Sequence, residues 1–186
     1  DLLDPVALNR SRWSPRDWAT SWGPAPRWGT PRTPSRATFG PVVAEISSRM
    51  GRPFYSWQRY VVDVGLEVLD DGSWAYDEVI VEVERRSGKS VLISPITAHR
   101  SGRAVDPDST WITAQKRKAA VRRWADAAGP IRKLFPAGAL RYIISNDHET
   151  LQWVESGREF VPFAPDATTM HGEEPGLVCV DELWAF

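Results

Sequence analysis

Apolar positions along the chain follow two periods, and the change from one to the other marks the elements. Val42, Val43 and Ile46 share one side of a short helix predicted over 41–50, with Gly51 as its stop. Trp57, Tyr60, Val61, Val64 and Val68 recur at i, i+3, i+4 and predict a core-facing helix over 56–69. Ser56 is its candidate N-cap, and Asp70-Asp71-Gly72 ends it. Residues 78–83 read as a buried strand and 91–99 as a helix, which Pro95 should kink or shorten. A short strand is predicted over 110–113. A helix follows over 115–128, with Val121, Trp124, Ala125 and Ala128 as its apolar stripe and Gly129-Pro130 as its stop. Strands are predicted over 140–145, 150–155 and 158–163, joined by turns at 146–149 and 156–157. The run Leu177-Val178-Cys179-Val180 closes the pattern. Strands alternating with helices predict an α/β fold. The apolar runs at 79–81 and 177–180 predict strands buried on both faces of a mostly parallel sheet, with helices covering both sides.

The first 37 residues break this pattern. Gly23-Pro24-Ala25-Pro26 and Thr30-Pro31-Arg32-Thr33-Pro34 oppose regular structure. Trp13, Trp18, Trp22 and Trp28 fall here, with arginines at 10, 12, 16, 27, 32 and 36. The segment 1–37 reads as an extended Pro/Arg/Trp-rich arm, and deleting it is expected to leave melting nearly unchanged. The alternative is an arm whose Trp and Arg side chains dock on a partner or on the domain itself. Residues 38–186 hold one domain with room for a sizeable core. The net charge of −1 gives no global basic field, so nucleic-acid contacts would need local patches. Lys116, Arg117, Lys118, Arg122 and Arg123 on the 115–128 helix form one such candidate, otherwise a solvated face. The lone Cys179 excludes an internal disulfide and a cysteine zinc cluster, and fits a reducing compartment. No apolar run approaches the roughly 18 residues of a membrane span, so no membrane partner is expected. A signal peptide is not recognised. His148 and His171 lack ligand spacing, so a metal role beyond Mg²⁺ is not expected.

The candidate chemistry centres on Val83-Glu84-Arg85-Arg86-Ser87-Gly88-Lys89-Ser90. A strand, a tight loop and a helix N-terminus form a cradle for phosphates, because loop N–H groups and the helix dipole converge there. In such loops the Gly88 position admits close backbone approach. The Lys89 position reaches the β- and γ-phosphates, and the Ser90 hydroxyl position serves Mg²⁺. The usual first glycine is replaced by Val83. Asp181-Glu182 directly follows the last apolar run, 92 residues (181 minus 89) beyond Lys89. In P-loop ATPases an Asp at such a strand end holds Mg²⁺ and a neighbouring Glu orients the attacking water. Gln58 is either a good helix former or, ahead of a phosphate loop, a reader of the adenine edge through its amide.

In the order of these elements the chain resembles the N-terminal ATPase domain of a tailed-phage terminase large subunit. Phe39-Gly40-Pro41 and Arg52-Pro53-Phe54-Tyr55-Ser56-Trp57-Gln58 look like that family's lead-in, and 83–90 looks like its degenerate Walker A loop. Thr113-Ala114-Gln115 is similar to the family's second strand and following helix. Met170-His171-Gly172 before Leu177 to Glu182 looks like the approach to its Walker B motif. The resemblance covers about residues 38–186 and implies a P-loop NTPase fold with ATP and Mg²⁺ as cofactors. It implies nucleotide binding by Gln58, Arg85, Arg86, Ser87, Gly88, Lys89 and Ser90, and Mg²⁺ held by Ser90 and Asp181. It further implies catalysis by Glu182 and by Arg85 acting in cis on the γ-phosphate. Implied partners are double-stranded DNA, a portal protein, a small terminase subunit and further copies of the chain in a ring, in the host cytoplasm during phage assembly.

The sequence stops at Phe186, before the family's coupling motif, sensing arginine and nuclease domain, so ATP binding is expected to exceed hydrolysis. Two other readings stand beside this one. The first is another DNA-dependent, helicase-like P-loop ATPase. The second is a non-catalytic nucleotide-binding or capsid-binding module.

Overall fold

The computed structural model describes residues 26–102, 109–145, 148–165 and 174–182. The Met170-His171-Gly172 approach, Trp13, Trp18 and Trp22 lie outside the described residues, as does the turn at 146–147. The chain divides into two units, Asp1–Lys89 and Ser90–Phe186.

The first unit is built on two helices. β1 (Ala37–Thr38) leads into α1 (Gly40–Arg49), and α2 (Ser56–Gly65) leads into β2 (Glu67–Val68). β1 and β2 pair antiparallel, Ala37 with Val68 and Thr38 with Glu67. Phe39, Val42, Val43, Val62, Val64 and Leu66 form the buried apolar face, and the Phe39 ring packs 5.7 Å from that of Trp74. α1 ends where Gly51 takes φ 73°, as its sequence position predicts. α2 is shorter than expected, because Glu67–Val68 leave the helix to pair with β1.

The arm is not inert up to residue 37. Glu67 is fully buried, and its carboxylate accepts hydrogen bonds from Arg32 Nη1 (2.8 Å), Arg36 Nη1 (3.2 Å) and the Thr33 backbone N–H (2.7 Å). Arg36 also lies over the Tyr76 ring at 5.8 Å, and Tyr60 donates its hydroxyl to Thr30 O. A buried carboxylate requires such partners, so Arg32 and Arg36 of the arm dock on their own unit.

Residues 78–83 form no strand, against the expectation. Val79 and Ile80 are 50% and 68% exposed, and no backbone hydrogen bond ties this run to other described residues. The strands of this unit are two residues long, and an extended run without a partner ladder gains nothing from strand geometry. The apolar residues at 79–81 therefore do not mark a strand buried on both faces.

The second unit holds a five-stranded sheet in the order β4-β5-β6-β3-β7, from Leu140–Ser145, His148–Trp153, Glu159–Pro162, Ser109–Thr113 and Leu177–Val180. It is mixed, not mostly parallel. β3 pairs parallel with β6 and β7, whereas β4–β5 and β5–β6 are antiparallel. The connections decide this. Ser145 pairs with His148, a separation too short for a crossover, while helical crossovers permit the parallel pairs. β7 is an edge strand.

α3 (Ile93–Gly102) and α4 (Arg117–Leu134) pack on β3 and β6. Pro95 stands in the first turn of α3, where its missing N–H has no helical partner to lose. α4 runs through Gly129-Pro130, its expected stop. An internal proline costs about 3 kcal/mol. Beyond it Ile131 is fully buried and Arg132 stacks 4.1 Å over the Tyr142 ring, contacts that offset the cost. The buried stripe is Ala120, Trp124, Ala127, Ala128 and Ile131, so Val121 and Ala125 flank it. Trp124 anchors the helix: its ring stacks on Tyr142 at 5.1 Å and its Nε1–H donates to Phe160 O at 2.7 Å. Among the described residues no helix is long and apolar enough to cross a membrane.

Candidate functional site

The candidate residues fall in both units. Gln58, Arg85, Arg86, Ser87, Gly88 and Lys89 belong to the first, and Ser90, Asp181 and Glu182 to the second.

In the first unit the 83–90 segment closes on itself. Ser87 N–H donates to Glu84 O at 3.3 Å, and the Lys89 ammonium donates back across the loop to Val83 O at 3.1 Å. Arg86 has φ 65° and Gly88 φ 91°, the left-handed region, so the chain turns sharply on both sides of Ser87. A side chain at Gly88 would be strained by that φ, and its Cβ would stand 3.1 Å from Gln58 Nε2. Arg85 and Arg86 are exposed and Ser87 is half-buried. After Lys89 the chain enters a 3₁₀ turn, Lys89–Leu92, before α3 begins at Ile93. The 91–99 helix therefore opens with a 3₁₀ turn rather than as one α-helix.

Gln58 is fully buried at the start of α2 and fastens this loop. Its Oε1 accepts from Tyr55 N–H at 2.7 Å, satisfying a helix-terminal donor, and its Nε2 donates to Gly88 O at 2.8 Å. This side chain, read from the sequence as a helix former or an adenine reader, braces the loop glycine. Tyr55, 67% exposed, lies on the same side, 3.9 Å from a Gly88 Cβ.

In the second unit β7 delivers the acidic pair. Asp181 N–H donates to Thr113 O at 3.0 Å, extending the β3–β7 ladder one residue past the strand. Glu182 turns away with φ 62°. Arg123 of α4 faces both acids: its Nε is 2.6 Å from Asp181 Oδ2 and its Nη2 3.6 Å from Glu182 Oε1. From the sequence Arg123 belongs to a basic face read as a candidate nucleic-acid contact or as a solvated face, since nothing local marks its distant partners. Arg117 of the same group is also engaged, with Glu149 at 2.6 Å and Pro162 O at 3.1 Å. Lys116, Lys118 and Arg122 remain exposed. Burial pushes the Cys179 thiol up to about 12, with nearby Arg100 opposing the shift, so this cysteine is no thiolate nucleophile at neutral pH.

Among the described residues no group of three or more His, Cys, Asp or Glu side chains could hold a metal ion. Mg²⁺ does not need such a group: it keeps several waters and is held by one or two carboxylates plus substrate phosphates. By donor type, an Asp181 carboxylate and a Ser90 hydroxyl fit that pattern. Comparison with protein-family models, with curated proteins and with solved structures found no match to this chain.

Proposed function

We propose that the chain binds ATP with Mg²⁺ and belongs to the ATPase part of a viral DNA-packaging motor of the terminase large-subunit kind, with the P-loop arrangement of helices on both sheet faces. The observation that carries this reading is the loop itself. The Lys89 ammonium folds back to Val83 O, and Gly88, the residue before it in the chain, takes a left-handed φ. A lysine held across a tight loop by a carbonyl is poised to exchange that carbonyl for a phosphate oxygen, and ring-like loop backbones are suited to anions.

In this reading Lys89 and the loop N–H groups bind the β- and γ-phosphates, and Gln58 contributes to nucleotide binding by bracing the loop through Gly88 O. Arg85 and Arg86, exposed at the loop, meet phosphate charge, Arg85 acting on the γ-phosphate. Ser90 and Asp181 hold Mg²⁺, which when bound neutralises phosphate charge. Glu182 orients the attacking water. Lys116, Lys118 and Arg122 offer exposed positive charge for a DNA backbone. The portal protein, the small terminase subunit, a ring of copies and the host cytoplasm follow from the family resemblance.

Binding of a fluorescent ATP analogue tests the reading. Lys89→Ala should abolish binding while the fold persists by circular dichroism, and unchanged affinity in the folded variant removes the proposal. A second reading, nucleotide binding without turnover, is favoured by one feature: Glu182 sits at φ 62° and faces Arg123. A carboxylate so occupied is not aimed at water, and a misplacement of about 1 Å can cost a factor of about 100 in rate. A phosphate-release assay on wild type and Glu182→Gln separates the two.

A further inference from the structure

The acidic pair at the end of β7 already has a cationic partner. Arg123 spans both carboxylates, and its place is set by the helix rather than by the acids. The adjacent Trp124 is fully buried and hydrogen-bonded to Phe160 O, which fixes α4 on the sheet. The two contacts differ in quality. Asp181 is 12% exposed and lies 2.6 Å from Nε, although that close pair is not an aligned hydrogen bond. Glu182 is 38% exposed, lies 3.6 Å from Nη2, and has the left-handed backbone that side chains other than glycine rarely adopt.

A divalent cation on Asp181 would bring two positive charges to the oxygen that Arg123 already faces. Like charges at such separations repel by several kcal/mol even at an effective dielectric of about 20. Arg123 is 34% exposed, so its guanidinium has solvent to move into. Resting on the nucleotide reading above, we propose that Arg123 is the internal counter-ion of the acidic pair. It is a positioning residue that holds Asp181 and Glu182 while no cation is bound and must be displaced for a divalent cation to bind. Glu182, with the longer and more exposed contact on a strained backbone, is released first and so becomes available to orient water. Cation binding and the readiness of Glu182 are then one event.

A purely structural ion pair would lower the melting temperature when broken and leave cation affinity untouched. The test uses Mn²⁺ alone, without nucleotide, with free Mn²⁺ counted by its electron paramagnetic resonance signal. Arg123→Gln should bind Mn²⁺ at least about tenfold tighter than wild type. Arg123→Lys, which keeps the charge, should stay near wild type. Adding Asp181→Asn to Arg123→Gln should erase the gain. Equal affinity in wild type and Arg123→Gln, including no binding by either, overturns the proposal. Arg123→Met is the second neutral variant if the glutamine does not fold. Because nucleotide is absent, a failed ATP-binding test leaves a Mn²⁺ gain standing, and a failed Mn²⁺ test leaves ATP binding standing.

Discussion

A Cβ added to Gly40 would stand 2.0 Å from Asp63 Oδ1 and 2.6 Å from Asp63 Cα. α1 and α2 therefore meet backbone to backbone at this point, and the contact is reinforced where Thr38 Oγ1 donates to Asp63 O at 2.8 Å and accepts from Gly40 N–H at 3.1 Å. The side-chain carboxylate could swing away, but the Asp63 backbone cannot.

Gly40→Ala should consequently separate the two helices and destabilise the first unit by about 3 kcal/mol, at the upper end of ordinary overpacking. Urea denaturation followed by circular dichroism measures this. A midpoint within error of wild type would show that α1 and α2 tolerate a wider spacing.

Glu67 gives a second prediction. It is fully buried and faces two arginines from 32–36. Removing one partner of a buried pair leaves uncompensated charge and typically costs about 3–5 kcal/mol. Glu67→Ala should approach that loss, more than Arg36→Ala, since Arg36 is the more exposed partner. Deleting residues 1–37 should also lower the melting temperature, because it strips Arg32 and Arg36 from Glu67. An unchanged melt after deletion would mean that solvent or other groups replace them.

Asp63 should make stability depend on pH. Burial raises its carboxyl above the usual value of 3.8, more than Arg59, at 2.8 Å, lowers it. The folded state then holds its proton more tightly than the unfolded chain. Stability from this group is fully present below the unfolded value and is lost as pH rises through the folded one. Asp63→Asn should flatten the dependence in that acidic window. A wild-type profile that rises monotonically through the same window, unchanged in the variant, would assign the titration to other carboxylates.

The legible parts of the sequence were those whose signal is local. The 3.6-residue period placed α1 and most of α2, and the strands at 110–113, 140–145 and 177–180 appeared within a residue of their places. What failed depended on distant partners. Val79, Val81 and Val83 have strand-forming side chains, but no strand lies beside them among the described residues. Pro130 signals a stop only until Ile131 and Arg132 find the sheet beyond it. Hairpin connections, rather than apolar runs, set the antiparallel half of the sheet. In the candidate site, residue types and spacing single out the loop and the acidic pair as candidates. The pairing of Arg123 with Asp181 could not, because 58 residues (181 minus 123) separate them.

Gln58 decides between two roles that the sequence left open. Its Oε1 is engaged by Tyr55 N–H and its Nε2 by Gly88 O. An amide has two N–H donors and two acceptor lone pairs, so one of each is left over. As a brace, the side chain acts on any nucleotide through the loop; as a base reader, it acts on adenine and not on guanine, whose edge reverses the donor and acceptor. Gln58→Ala removes both functions, and the difference appears in selectivity. Since both ends of the amide already hold the loop and the helix start, Gln58→Ala should weaken analogues of ATP and GTP by similar factors. It should also lower the melting temperature, because Gly88 O and Tyr55 N–H each lose a partner. Gln58→Glu keeps the acceptor for Tyr55 but replaces the donor to Gly88 O with a carboxylate oxygen, so it should be at least as damaging to affinity. Titrations of both analogues against the three chains give the answer. Loss of ATP preference with an unaltered GTP affinity and an unaltered melt would make Gln58 a base reader, and the brace a by-product of where its amide rests.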